Sequence, residues 1–177
     1  MFLLLVMATL SDASAVAAGE IAPEYQIKAA FLYKFGNYVE WPKSSSESAP
    51  GSFTIGVVGA NDLARYLTDM VRDRKVGGKP VVVLPLQPGD VPRGVQVLFI
   101  GRAAQGETGS ILATLRDEPV LTVTESAGAK PAGGVINFVI VDNRVRFDVA
   151  LAAARQRNLK ISSRLLEVAR KVSGRSS

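Results

Sequence analysis

Short apolar runs alternate with amphipathic segments along most of this chain, and that alternation constrains its fold more than any other feature. The run from Phe53 to Gly59 is almost continuously apolar, as expected for a strand covered on both faces. Comparable runs are Pro80–Leu86, Val95–Ile100, Pro119–Thr124 and Val135–Val141. Strands that alternate with helices predict an α/β layered domain, with a largely parallel sheet flanked by helices.

The segments between and after these runs predict helices, because apolar residues recur in them at helical spacing. The first of these helices is expected to bury Leu63 and Leu67, and Asn61 is its predicted N-cap. Ser162 is the predicted N-cap of the last helix. The predicted helices run from Asp62 to about Asp73, Thr108 to Arg116, Ala150 to Arg157 and Ser163 to Val172.

The C-terminal half contains a hairpin signal. Asp142-Asn143 is a tight turn between the last long apolar run and Arg144–Val149, so these two strands are expected to pair. Phe138 and Phe147 lie on opposite arms and are expected to pack in one core. The hairpin adds an antiparallel edge, so the predicted sheet is mixed.

Aromatic residues concentrate between Glu24 and Pro42, a segment that contains the only Trp. Ile27, Phe31, Phe35 and Tyr38 recur at helical spacing, which predicts an amphipathic helix that ends at Pro42. Most of this stripe is expected to pack in the core.

Composition excludes several classes of function. The chain has no Cys and no His, which removes thiol nucleophiles, Ser–His–Asp triads and every His- or Cys-ligated metal site. No metal or cofactor is expected. The net charge is +5, but Lys and Arg are scattered without interleaved aromatics, so nucleic-acid binding is not expected.

The N-terminus predicts export. Phe2–Leu10 is an apolar run too short to span a bilayer, and Ala13–Ala15 and Ala15–Ala17 both fit an Ala-x-Ala cleavage site. No Lys or Arg precedes the run, which departs from the usual signal peptide. We therefore expect a signal peptide over residues 1–18 and a single domain over 19–177, with loops at Lys43–Ser52 and Ser126–Gly134.

Two basic or glycine-rich segments are candidate ligand sites. The turn from Gly56 to Asp62 leads from a strand into a helix, where α/β sheets can bind phosphate, but it lacks the full dinucleotide and Walker spacings. We therefore favour the interpretation that this segment is a tight strand-to-helix turn without a ligand. A hypothetical anion-binding module would use Asn61, Lys75 and Lys79, although a segment such as Lys75–Lys79 is more often a solvated loop.

General acid–base chemistry would have to come from carboxylates, Lys or Tyr. Glu125, Asp142 and Asp148 come near strand ends, but nothing in their spacing requires catalysis. Asp148 is expected to form an exposed salt bridge with Arg144 or Arg146. An enzyme is therefore not the favoured interpretation.

Several blocks of the sequence resemble the YfiR/HmsC-like family of periplasmic regulatory proteins, from about Tyr25 to Val172. Ala150 stands where the family has Asn, and the cysteines of well-studied members are missing, so regulation through disulfides cannot apply. The blocks that carry the resemblance are Lys28-Ala29-Ala30-Phe31-Leu32, Phe35, Val39-Glu40-Trp41-Pro42, Gly133-Gly134-Val135-Ile136-Asn137-Phe138, Arg146-Phe147-Asp148-Val149 and Ile161-Ser162-Ser163-Arg164-Leu165-Leu166.

The resemblance implies a non-enzymatic repressor. Such a protein binds the periplasmic sensor region of an inner-membrane diguanylate cyclase and lowers cyclic di-GMP signalling and biofilm formation. An outer-membrane lipoprotein and a second copy of the chain are further candidate partners. Tyr33, Asn37, Trp41 and Arg146 are the candidate partner-binding residues, since interfaces favour Trp, Tyr and Arg. The alternative is a periplasmic small-molecule binding module.

Overall fold

The computed structural model describes residues 23–42, 51–90, 92–125 and 133–174. The predicted signal peptide, most of Lys43–Ser52 and most of Ser126–Gly134 lie outside these ranges. The described helices are α1 Pro23–Phe35, α2 Asn61–Val71, α3 Thr108–Thr114, α4 Leu151–Gln156 and α5 Ser163–Val168, with a 3-10 helix at Arg102–Glu107. The described strands are β1 Val39–Glu40, β2 Phe53–Val58, β3 Lys75–Val76, β4 Lys79–Leu86, β5 Val97–Ile100, β6 Leu121–Glu125, β7 Ile136–Val141, β8 Arg144–Ala150, β9 Lys160–Ile161 and β10 Lys171–Ser173.

The strands form an 8-stranded sheet in the order β10-β8-β7-β6-β5-β2-β4-β3. Strands β4, β2, β5, β6 and β7 run parallel, and β10 runs parallel to β8. The β7–β8 and β3–β4 pairs are antiparallel. The prediction of an α/β domain with a mixed, mostly parallel sheet and a C-terminal hairpin is therefore confirmed.

Helices cover the sheet on both faces because alternate residues of each strand point to opposite sides. On β5, Phe99 joins the larger core, which α1 and α2 cover, and the adjacent Leu98 joins a smaller core beneath α3. Both side chains are fully buried. Strand β2 is likewise buried along its whole length, which explains its continuous apolar run.

The predicted hairpin is confirmed. Asp142 and Asn143 adopt φ values of 48° and 56°, the left-handed geometry of a two-residue turn that matches strand twist. In the resulting register Phe138 faces Phe147 across the strands. Both rings are buried in the larger core, as the sequence predicted.

The aromatic helix is shorter than predicted, and its buried face differs. α1 ends at Phe35, and Val39 pairs with Ile161 of β9 in a small two-stranded sheet. Ile27 and Tyr38 are 46% and 37% exposed, so the predicted core stripe is wrong at these positions. The buried residues of α1 are Lys28, Ala29, Leu32 and Phe35. Pairing with a distant strand therefore overrode the local helical pattern.

Of the predictions for the caps and ends of α2 and α5, one is confirmed and two are wrong. Ser162 caps α5 as predicted, because its Oγ accepts a hydrogen bond from the Leu165 amide at 3.3 Å. The predicted extension of that helix to Val172 is wrong, since α5 ends at Val168 and the next residues form β10. Asn61 is not the cap of α2: Ala60 holds that position without a side-chain hydrogen bond.

Asp148 has a different partner from the predicted one. Its carboxylate accepts a hydrogen bond from Arg170 Nε at 2.8 Å and contacts the same guanidinium through Nη2. Arg170 lies in the connection from α5 to β10, and its amide donates to the Phe147 carbonyl at 2.9 Å. The pairing with Arg144 or Arg146 is therefore wrong, because β10 brings a third arginine to the strand.

Candidate interaction surface

A groove of about 330 Å³ lies between the segment after α1 and the β3–β4 hairpin. We call it the Trp41 groove. Asn37 and Trp41 line it on the α1 side, and Val76 and Lys79 line it on the hairpin side. The structure thus places two predicted partner-binding residues and one predicted ligand-binding residue in the same groove.

Trp41 lines this groove, and its indole nitrogen has no hydrogen-bond partner among the described residues. Its ring meets Phe53 edge-to-face, with 5.4 Å between centroids and an interplanar angle of 81°. The indole Nε1 is buried. Buried donors are normally paired, so this unsatisfied indole is the polar feature that distinguishes the Trp41 side of the groove.

Tyr33 and Lys75 lie beside the Trp41 groove. The Tyr33 hydroxyl donates to the Lys75 carbonyl at 3.3 Å, and the Arg74 guanidinium lies 5.3 Å from the centre of the Tyr33 ring. These contacts hold α1 against β3. Tyr33 therefore positions one wall of the groove, in addition to presenting part of its ring at the surface.

Arg146 lies in a second groove, of about 530 Å³, between α1, the edge of β8 and α5. We call it the Arg146 groove. Aromatic and aliphatic side chains line it, and Tyr38 and Val168 are 37% and 64% exposed there. Its charged lining residues are Lys34, Arg146, Arg164 and Glu167. An apolar groove with more cations than anions suits a partner segment that is apolar and acidic.

The two grooves flank one short stretch of chain. Phe35 and Tyr38 line the Arg146 groove, whereas Gly36, Asn37 and Val39 line the Trp41 groove. The stretch turns tightly after α1, with the Tyr38 amide donating to the Phe35 carbonyl at 3.0 Å. A partner that covers this turn would contact both grooves.

Asn61 lies apart from the other predicted residues, at the exposed start of α2. Here the loops after β2 and β5 are in direct contact. A Cβ on Gly59 would lie 2.5 Å from the Ala104 amide nitrogen, and one on Gly101 would lie 2.5 Å from the Gly59 carbonyl oxygen. Backbone therefore fills the crevice at which open α/β sheets commonly bind ligands.

The sequence interpretation missed a buried ion cluster. Lys28 and Glu125 are 1% and 4% exposed, and their charged groups are in direct contact. Glu24 also contacts Lys28, and the Arg102 amide donates to Glu125 Oε1 at 2.9 Å. Burial, and to a lesser degree the charge of Glu125, raises the pKa of the Tyr25 hydroxyl. The available signal was the helical i,i+4 spacing of Glu24 and Lys28.

The candidate catalytic carboxylates do not converge. Glu125 packs on the α1 side of the sheet, whereas Asp148 follows the inward-facing Phe147 and so lies on the opposite face. Asp142 lies at the exposed tip of the hairpin. In the part of the chain that the structure describes, no group of His, Cys, Asp or Glu side chains is placed to hold a metal ion.

No helix among the described residues is both long and apolar enough to cross a membrane. The model of the YfiR/HmsC-like family matches residues 25–170, which include the whole turn between the grooves. No curated protein matches the chain. The family is known for periplasmic regulators of diguanylate cyclases. Because the matched residues make up most of its length, the chain belongs to the YfiR/HmsC-like family.

Proposed function

We propose that this protein is a periplasmic, non-enzymatic regulator that binds the periplasmic sensor region of an inner-membrane diguanylate cyclase. Binding represses the cyclase and so lowers cyclic di-GMP signalling and biofilm formation. The observation that carries the proposal is the family match over residues 25–170. The two grooves support it, because together they offer a partner an apolar surface with aromatic and arginine anchors.

The Arg146 groove is the part of this surface with the clearest charge preference. We expect the cyclase region to place an acidic, partly apolar segment there, between Arg146 and Arg164. A second copy of the chain or an outer-membrane lipoprotein would compete for the same apolar surface. No nucleic acid is expected to bind, because the cations of the groove border an apolar floor rather than a continuous basic stripe.

A pull-down of the mature protein against the cyclase's periplasmic region tests the proposal. Arg146→Glu should weaken the complex about tenfold or more, because it places a like charge against the acidic partner. Arg144→Glu is the matched control: Arg144 is exposed on the same strand but does not line the groove. Equal binding by the two variants would contradict the role of the Arg146 groove.

The Trp41 groove needs a variant that spares the core. Trp41→Ala would remove the contact with Phe53, so a loss of binding could not be distinguished from a loss of folding. Trp41→Phe removes the Nε1 donor and keeps most of the ring, and Asn37→Ala changes an exposed residue. If all of these variants bind as the wild type does, the two grooves are not the binding surface. If the folded wild type does not bind, the proposed partner is wrong.

A small-molecule binding module is the second candidate, and the unpartnered Trp41 Nε1 favours it. The ligand would place an acceptor oxygen on that indole and an anionic group near Lys79, with Lys75 on the adjacent strand. A ligand specific for the native state raises the melting temperature. Stabilisation by an anionic metabolite that is lost in Trp41→Phe, together with no cyclase binding, would support this candidate instead.

A further inference from the structure

Arg157 is a buried cation without a carboxylate partner among the described residues. It follows α4 and is only 4% exposed. Its Nη1 donates to the Ala153 carbonyl at 3.3 Å, but its Nε has no hydrogen-bond partner. Buried guanidinium groups are normally paired with an anion, because leaving water is costly for an isolated charge.

The surroundings of Arg157 increase that cost. Burial lowers the pKa of Arg157, and the nearby positive charge of Arg116 lowers it further, while Asp117 opposes the shift. Two cations are thus held on one side of the domain, at the ends of α3 and α4. Asp117 offsets only part of this shift, so an additional negative charge near the two arginines would favour the charged form of Arg157.

A groove of about 310 Å³ provides room for that anion. Arg116 and Arg157 line it together with Gln156 and Leu112, whereas Gly109 and Gly133 add no side chain to its walls. Gly133 has a φ of 83°, which favours glycine at this position. The volume lies at the lower end of small-molecule sites.

The adjoining chain does not provide a counterion. The residues just before Gly133, numbers 126–132, read Ser-Ala-Gly-Ala-Lys-Pro-Ala and contain no Asp or Glu. Their one charged residue, Lys130, adds a third cation to this part of the sequence. Asp117 is the carboxylate that acts on Arg157, but among the described residues the two form no ion pair.

We propose that the groove between α3 and α4 binds a small oxyanion, a phosphate or carboxylate group, between Arg116 and Arg157. A guanidinium presents paired N–H groups that match both kinds of oxyanion. Arg157 supplies the desolvated contact and Arg116, which is exposed, the contact at the mouth of the groove. The groove shares no lining residue with the Trp41 and Arg146 grooves, so the site is separate from the proposed partner surface.

Thermal unfolding and calorimetric titration with inorganic phosphate test the site, with sodium chloride matched for ionic strength. Phosphate should raise the melting temperature of the wild type. Arg157→Gln should abolish the rise, and Arg116→Gln should weaken binding about tenfold or more. Arg72→Gln is the control, because Arg72 is an exposed arginine just after the end of α2, paired with Asp69.

Two further experiments distinguish the chemical sources of the oxyanion. Citrate in place of phosphate tests a carboxylate ligand, and phosphatidylglycerol vesicles test a lipid headgroup. No stabilisation of the wild type by phosphate or citrate and no vesicle binding would overturn the proposal. Equal stabilisation of the wild type and Arg116→Gln by phosphate or citrate would also overturn it. If Arg157→Gln does not fold, the comparison of Arg116→Gln with the wild type still tests the proposal.

Discussion

Lys28 is the residue whose role the structure changes most. In the sequence it stands in an amphipathic stretch and resembles an exposed helical lysine. In the fold it is buried beside Glu125, 97 residues away, with Tyr25 and Phe138 rings 5.5 Å and 5.9 Å from its ammonium. Lys28 therefore has a structural role between α1 and β6.

This pair leads to a stability prediction. Glu125→Leu should destabilise the protein by about 3–5 kcal/mol, because it removes the main partner of a buried ammonium group. Lys28→Met should also destabilise it, since Glu125 is then left buried with Arg102. The double variant should recover most of the loss, because no uncompensated charge remains between α1 and β6.

Urea unfolding of the two single variants and the double variant measures this coupling. Arg65→Ala is the comparison, because its ion pair with Asp62 is exposed and is expected to contribute less than about 1 kcal/mol. Additive effects of Lys28→Met and Glu125→Leu would mean that the two charges do not stabilise each other.

At the scale of elements, the contact between the loops after β2 and β5 has a sharp steric requirement. Gly101→Ala would bring a Cβ to 2.5 Å from the Gly59 carbonyl oxygen and 2.7 Å from the Ala60 Cβ. The backbone must then move, at a cost of about 1–3 kcal/mol. We expect a lower melting temperature for this variant.

Gly106→Ala is the matched control for Gly101→Ala. It lies in the 3-10 helix that follows the same loop, and a Cβ there meets nothing within 4 Å among the described residues. We expect a neutral or slightly stabilising effect, because alanine restricts the unfolded chain. An unchanged Gly101→Ala would show that this crevice is not closed by steric contact. Equal destabilisation by Gly101→Ala and Gly106→Ala would show that the loss does not come from that contact.

The ends of elements were the least predictable part of the fold. The chemistry of the Asp142-Asn143 turn and the Ser162 cap is local, so both were predicted correctly. The end of α1 and the start of β10 depend on partners far along the chain, namely β9 and β8. The apolar spacing near Tyr38 and Val172 therefore could not predict the pairing with these distant strands.

At the scale of the whole molecule, export stays a prediction. The apolar run Phe2–Leu10 and its Ala-x-Ala sites lie outside the described residues. Intact-mass measurement of protein from a periplasmic fraction should give a chain that begins close to Gly19, because signal peptidase removes the preceding segment. A cytoplasmic protein that retains Met1 would exclude the proposed meeting with a periplasmic sensor region.

The class of the fold, the order of its main elements, the hairpin and the family were all predictable from the sequence. These follow from local patterns: continuous apolar runs for buried strands, helical spacing between them, and turn residues with special backbone geometry. The sequence also named Asn37, Trp41 and Lys79 as candidate site residues, although as members of separate surfaces.

Which of these residues lie together depends on the packing of the whole domain. That packing placed Asn37, Trp41 and Lys79 in one groove and Arg146 in another, paired Lys28 with Glu125, and buried Arg157 without a carboxylate among the described residues. The physical reason is that burial and charge pairing depend on which distant strands and helices pack together. The sequence pattern around each residue therefore does not predict these long-range contacts.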